Sequence, residues 1–271
     1  MNIQPSSRID FSKLPSRAYI HKFTDELLDY LFPVESTFNY RYEVAEEKAE
    51  RLQKMFTEIL QPLTTRLGQP VEEVVTKFFS TLPSVYSQLL ADAEFFLQSD
   101  PAAEGVEEVI IAYPGFYAIT VYRLAHQLTL LNVPIIPRVI TEYAHNKTGI
   151  DIHPGASIGN PFFIDHGTGI VIGQTSIIGH KVKIYQGVTL GALAVRKEQQ
   201  GAKRHPTIED NVVIYAGSCI LGGETVIGHD SIIGGNVWLT TSVAPLSMVY
   251  HKSEVHIRDK SELKEVLDFV I

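Results

Sequence analysis

The stretch that decides the fold is IDHGTGIVIGQTSIIGHKVKIYQGVTLGA, residues 164–192. Within it Ile172, Ile178, Ile184 and Leu190 recur every six residues, and Ile152, Ile158, Ile164 and Ile170 run ahead of them with the same period. The two runs are out of frame by two residues, and the slip falls on DHGTG, residues 165–169. Neither a helix nor a simple strand repeats every six residues. One short strand plus a corner does, and three such units complete a triangular coil with its aliphatic residues pointing inward. Glycine follows many of these residues, as in IGNPFF, IGHKVK and LGGETV, where a corner leaves no room for a side chain. Coils would stack at the inter-strand spacing of about 4.8 Å. Beyond a polar interruption, Tyr215, Leu221, Ile227, Ile233 and Leu239 are expected to resume the inward row.

Working outward, the chain divides by period into an α+β protein. Residues 1–148 read as an α-helical bundle: Ala45, Ala49, Leu52, Met55, Phe56 and Ile59 follow three-to-four spacing, and PVEEVVTKFF opens on a proline suited to a first helical turn. Residues 149–248 carry the parallel β-helix, interrupted by the insertion ALAVRKEQQGAKRHP at 192–206. Residues 249–271 form a tail whose ELKEVLDFVI segment is helical in pattern.

Composition narrows the function. The chain has 271 residues, 45% hydrophobic, and a formal charge of -8 from 23 basic and 31 acidic side chains. Without a basic block it is a poor candidate for nucleic acid. Its longest apolar run, residues 109–122, is too short for a bilayer span and contains Pro114. The N-terminus has no apolar core of signal-peptide length. A soluble, cytoplasmic protein is expected. A single cysteine, Cys219, excludes an intrachain disulfide and cannot alone build a thiolate metal site. No metal is expected.

A repeat explains stability; its departures are where chemistry is expected. At DHGTG the slip can aim side chains out of the prism, with Gly167 and Gly169 permitting the backbone. His166 suits a general base at neutral pH. Asp151 lies 15 residues earlier, near one coil, so the two are expected to stack and the carboxylate to fix the imidazole tautomer. The insertion delivers Arg204 and His205, and an arginine there suits a substrate carboxylate. Lys203 is a candidate for coenzyme phosphates, whereas Arg196 and Lys197 read as a solvated tip.

GIDIHPGASIG, the DHGTG stretch, GVTLGA and KRHPTI together closely resemble serine O-acetyltransferases, built on the left-handed β-helix of hexapeptide-repeat proteins. The resemblance covers roughly residues 80–245. It implies His166 as general base, Asp151 as its supporting carboxylate, Asp100 and Asp165 on the substrate amine, and Arg204 and His205 on the substrate carboxylate. It further implies direct attack of the L-serine hydroxyl on acetyl-CoA, with no covalent enzyme intermediate, which leaves Cys219 a packing role. A backbone N–H near Gly191 would meet the oxyanion. Coenzyme A would run along the prism between subunits past Gly191, Ala216 and Gly235. Feedback inhibition by L-cysteine, a homotrimer or dimer of trimers, and docking of O-acetylserine sulfhydrylase on Ile271 complete what it implies. The chain departs from the family in its longer loop, in Gly191-Ala192 where two glycines are frequent, and in SMVYHKSEVHIRDK where a PARIVG-like ending is common.

Rival readings start from the same residues. A zinc hydrase of the γ-carbonic-anhydrase kind needs three converging histidines, and His153, His166, His180, His205 and His229 supply the number without close spacing on one coil. A surface-binding scaffold would show ranks of threonine, which are absent. Homoserine satisfies the same anchors as serine with one extra methylene. A sugar acceptor would have little use for two carboxylates and an arginine.

Overall fold

The computed structural model of the chain describes residues 10, 13–33, 45–193 and 202–252. Among the described residues six α-helices come first: α1 (Arg17–Leu31), α2 (Ala45–Leu60), α3 (Val71–Ser99), α4 (Val106–Ala112), α5 (Pro114–Leu130) and α6 (Ile136–Thr148). In α3, Val71, Val74, Val75, Phe78, Leu82, Val85 and Leu89 are buried at helical spacing. Pro70 precedes the helix as its cap residue, where a missing N–H costs nothing. α5 is apolar on most sides and runs through the centre of the helical part, packing on α6 and α3.

Fourteen short strands among the described residues then wind a parallel, left-handed β-helix of about five turns with three faces. The first face stacks β1 (Asp151–Ile152), β4 (Val171–Ile172), β7 (Thr189–Gly191), β10 (Cys219–Leu221) and β13 (Trp238–Leu239). The second stacks β2 (Ser157–Ile158), β5 (Ile177–Ile178), β8 (Thr207–Ile208) and β11 (Val226–Ile227). The third stacks β3 (Phe162–Asp165), β6 (Val182–Tyr185), β9 (Val213–Ile214), β12 (Ile232–Ile233) and β14 (Met248–Val249).

Register gives each coil its length. Asp151 pairs with Val171, twenty positions on, and Val171 with Thr189, eighteen on. Thr189 then pairs with Cys219 as if the inserted loop were absent, and Cys219 with Trp238, nineteen on. The interior row of the later coils differs from expectation. Ile208, Ile214 and Ile220 are buried, whereas Tyr215 is exposed and Leu221 half-buried. The inward row then slips by one residue to Ile227 and Ile233, both buried. The extra residue is taken up at the Gly222-Gly223 corner, where Gly222 has φ +105°.

The helices sit on the third face at its first strand. β3 is buried on both sides, with Phe162 and Phe163 fully covered, because α3 and α5 pack on its outer surface. Phe163 meets Phe96 edge-on at 4.7 Å between centroids. Gly115 of α5 approaches so closely that a Cβ there would come within 2.3 Å of the Ile164 carbonyl oxygen. An ion pair fixes the same joint. Asp92 of α3, fully buried, accepts from Arg123 Nε at 2.5 Å and Nη2 at 2.8 Å, from Asn160 Nδ2 at 2.8 Å and from the Phe162 N–H at 2.8 Å. Arg123 also donates to the Gly159 carbonyl. The Asp92 carboxylate and the Arg123 Nε and Nη2 donors are all partnered in this joint, the condition for burying such a pair.

Candidate active site

β3 ends at Asp165, and the chain turns the corner between the third and first faces through His166 and Gly167, both left-handed, at φ 54° and 85°. The turn swings the imidazole outward: its side chain is 71% exposed, against 19% for Asp165. His166 Nδ1 lies 3.7 Å from Asp165 Oδ1. From the helical part Asp100 arrives at the same place, as the residue that ends α3. Its Oδ1 accepts from the Ala102 N–H at 2.8 Å and its Oδ2 from the Tyr113 hydroxyl at 2.7 Å. Those two bonds, the backbone one foremost and aided by the His166 charge, hold the Asp100 carboxyl below its usual range. Tyr113 is pushed up to about 12 by its bond to Asp100 and by burial, with the carboxylates of Glu108 and Asp165 adding to it. Tyr185, opposite Asp165 in register, is raised by burial, by Tyr215, and by the charges of Asp165 and Asp100. Two carboxylates and an imidazole thus share one corner with two tyrosines, neither of which the repeat pattern singles out.

A second group occupies the corner between the first and second faces. The His205 ring lies over Gly173, where a Cβ would come within 2.0 Å of its Cδ2. Its Nδ1 takes the Thr175 N–H at 3.1 Å, and burial beside Arg204 and Lys203 lowers it to about 4. Arg204 Nη2 donates to Gln174 Oε1 at 2.6 Å and, among the described residues, has no ion pair. Lys203 donates its ammonium to the His205 carbonyl at the loop base. His153, below, is also lowered to about 4, chiefly by burial and by Arg138. Its charged neighbours include Asp151 and Arg204.

In register Asp151 lies opposite Val171 rather than directly over His166. The slip at DHGTG lengthens that coil to twenty residues, so Asp151 faces Val171 and its carboxylate meets Arg138 at 3.4 Å. Asp165 Oδ1 lies 3.7 Å from His166 Nδ1, and Asp100 also feels the His166 charge. Asp151 still starts its strand at the same corner, where Gly169 donates to the Gly149 carbonyl. Glu142, His145 and Asp151 bring ligand atoms within 4.8 Å of one another, but Arg138 pairs with both acids and already supplies the cation there.

The expected coenzyme residues divide the same way. Gly191 ends β7 on the loop side, one coil above Gly173, while Ala216 and Gly235 stack at the His166 corner. Cys219 is half-buried in β10 and its thiol is pushed up by burial, the opposite of an activated nucleophile. Arg196, Lys197 and Ile271 lie outside the described residues. No described helix is long and apolar enough to cross a membrane.

No family model matches the chain. The serine acetyltransferase encoded on a plasmid of Synechococcus elongatus is 49% identical over 197 residues, 71% of this chain and 60% of that relative. Serine acetyltransferase isoform 3 of Entamoeba histolytica, solved in complex with cysteine, superposes with a TM-score of 0.77 at 32% identity, covering 94% of this chain and 91% of that one. This chain belongs to the serine acetyltransferase family. A serine acetyltransferase solved in complex with CoA also matches, at 28% identity and a TM-score of 0.57 over 86% of this chain and 96% of that one. The chain spans about 60% of the length of the two Synechococcus elongatus serine acetyltransferases it matches, and 81% of that of Helicobacter pylori.

Proposed function

We propose that this serine acetyltransferase family member transfers the acetyl group of acetyl-CoA to the hydroxyl of L-serine, giving O-acetyl-L-serine for cysteine synthesis. The observation that carries this reading is the corner where Asp100 and Asp165 flank His166, two anions placed for an ammonium beside a base placed for the neighbouring hydroxyl. His166 takes the serine hydroxyl proton, and the oxygen adds to the thioester carbonyl. The C–S bond then breaks, and the imidazolium returns its proton to the departing coenzyme thiolate. Asp151, at the same corner, is assigned to support the imidazolium. Arg204 and His205 hold the serine carboxylate, and Gly191 supplies an N–H for the oxyanion. Coenzyme A runs past Ala216 and Gly235, and the complexes of the family members with CoA and with cysteine support the ligand classes.

The two halves of this site lie on two corners of one prism. A second copy of the chain, presenting its loop corner to the His166 corner of the first, would complete each site. We therefore assign a homotrimer, with the helical part available to pair two trimers. A soluble, cytoplasmic setting, inhibition by L-cysteine at the serine site, and docking of O-acetylserine sulfhydrylase on Ile271 belong to the same proposal. The deciding assay measures thiol release from acetyl-CoA with serine, homoserine and a sugar side by side. Serine is expected to be preferred; release with homoserine or sugar above that with serine overturns the assignment.

A further inference from the structure

Thr175 makes more of its hydroxyl than any neighbour on the repeat. Its Oγ1 accepts the backbone N–H of Arg204 at 2.9 Å and that of His205 at 3.1 Å. It also lies 2.8 Å from His205 Nδ1, which takes the Thr175 backbone N–H at 3.1 Å. A hydroxyl oxygen has two lone pairs and one proton. With both lone pairs given to backbone N–H groups, the proton goes to Nδ1. That nitrogen therefore receives two donors and carries no hydrogen. The imidazole proton must sit on Nε2, which lies over Gly173, the position that has no side chain to cover it. The residue before Thr175 completes the arrangement, since Gln174 Oε1 holds one arm of Arg204 without neutralising its charge.

We propose that Thr175 is a positioning residue, whose hydroxyl closes the base of the 192–206 loop and fixes His205 as the Nε2–H tautomer, so that Arg204 and His205 face the substrate as a preformed donor pair for a carboxylate. The ring stays neutral because burial and the neighbouring Arg204 and Lys203 cations oppose a further proton. A neutral Nε2–H and a guanidinium that has no ion pair among the described residues together offer directional donors with one net positive charge, matched to one carboxylate. Preorganisation of this kind removes the ordering cost that a mobile loop would meet on each binding event. The substrate half of the inference rests on the assignment of Arg204 and His205 to the serine carboxylate; the tautomer half does not.

Three variants separate the two. Thr175→Val removes the hydroxyl at nearly constant shape, Thr175→Ser keeps it, and Arg204→Ala tests the carboxylate assignment itself. Thr175→Val is expected to raise the serine KM about tenfold, with kcat and the acetyl-CoA KM little changed, and Thr175→Ser to restore it. An unchanged serine KM in Arg204→Ala overturns the carboxylate assignment. A raised KM in Arg204→Ala with none in Thr175→Val overturns the clamp. Nitrogen-15 NMR of histidine-labelled protein, with His205 identified by its loss in His205→Gln, reads the tautomer in the unaltered chain. A neutral Nε2–H ring at pH 7 is expected; an Nδ1–H ring or an imidazolium overturns the proposal even if Thr175→Val does not fold.

Discussion

Tyr113 donates its hydroxyl to Asp100 across 2.7 Å, tying the start of α5 to the end of α3 at the edge of the candidate site. The bond helps keep Asp100 charged as pH falls, because a carboxyl held below its ordinary range protonates only at lower pH. Tyr113→Phe should therefore let the Asp100 pKa rise and move the acid limb of kcat/KM for serine to higher pH. A rise in serine KM of about tenfold is expected, the scale of one hydrogen bond to a charged group. A pH–rate profile identical to that of the unaltered chain would remove Tyr113 from the site.

His166→Ala should cut kcat by about 10²–10⁴ while coenzyme A binding, measured by calorimetry, stays within a factor of two or so. Its exposed imidazole packs on little, so folding should be unaffected. Full turnover in this variant would dismiss His166 as the base.

Mixing tests whether one site draws on two copies. His166→Ala and Arg204→Ala chains, each nearly inactive alone, should regain activity when unfolded together and refolded, because some interfaces in mixed trimers pair an intact His166 with an intact Arg204. Sedimentation should give three or six chains. Activity no greater than the sum of the separate variants would place both residues on one chain's site.

L-Cysteine carries the same ammonium and carboxylate as serine and should compete with it. Raising serine should relieve the inhibition, and Asp100→Ala should weaken cysteine and serine together. Inhibition insensitive to serine concentration would argue for a separate cysteine site.

Asp92→Ala strands the Arg123 guanidinium, the Asn160 amide and the Phe162 N–H in a buried joint. The cost should be about 3–5 kcal/mol, read as a lower urea midpoint. A stability loss of less than about 1 kcal/mol would mean that water enters the joint and replaces the carboxylate.

The period of six was readable because each inward residue must be aliphatic, and so were the two places where the pattern breaks. The later frame misled for a physical reason. Tyr215 and Leu221 lie one residue past the true interior positions Ile214 and Ile220, and both neighbours are apolar. Only the register distinguishes them. Asp92 did carry a signal, an acid at helical spacing with Val85, Leu89 and Phe96 on the buried side of α3. Tyr113 and Thr175 carried none, since their value comes from what the fold sets beside them, and that is not written in spacing along the chain. The corner shared by Asp100 and Asp165 is similarly a product of the Gly115 approach to Ile164.

Thr189 and Cys219 keep their ladder pairing although thirty positions separate them. The scaffold thus behaves like a spool that can pay out thread between two turns without loosening either. Chemistry hung on such an excursion can be lengthened, shortened or exchanged while the winding above and below remains intact, which makes this corner the natural point for grafting a different acceptor preference onto the same prism.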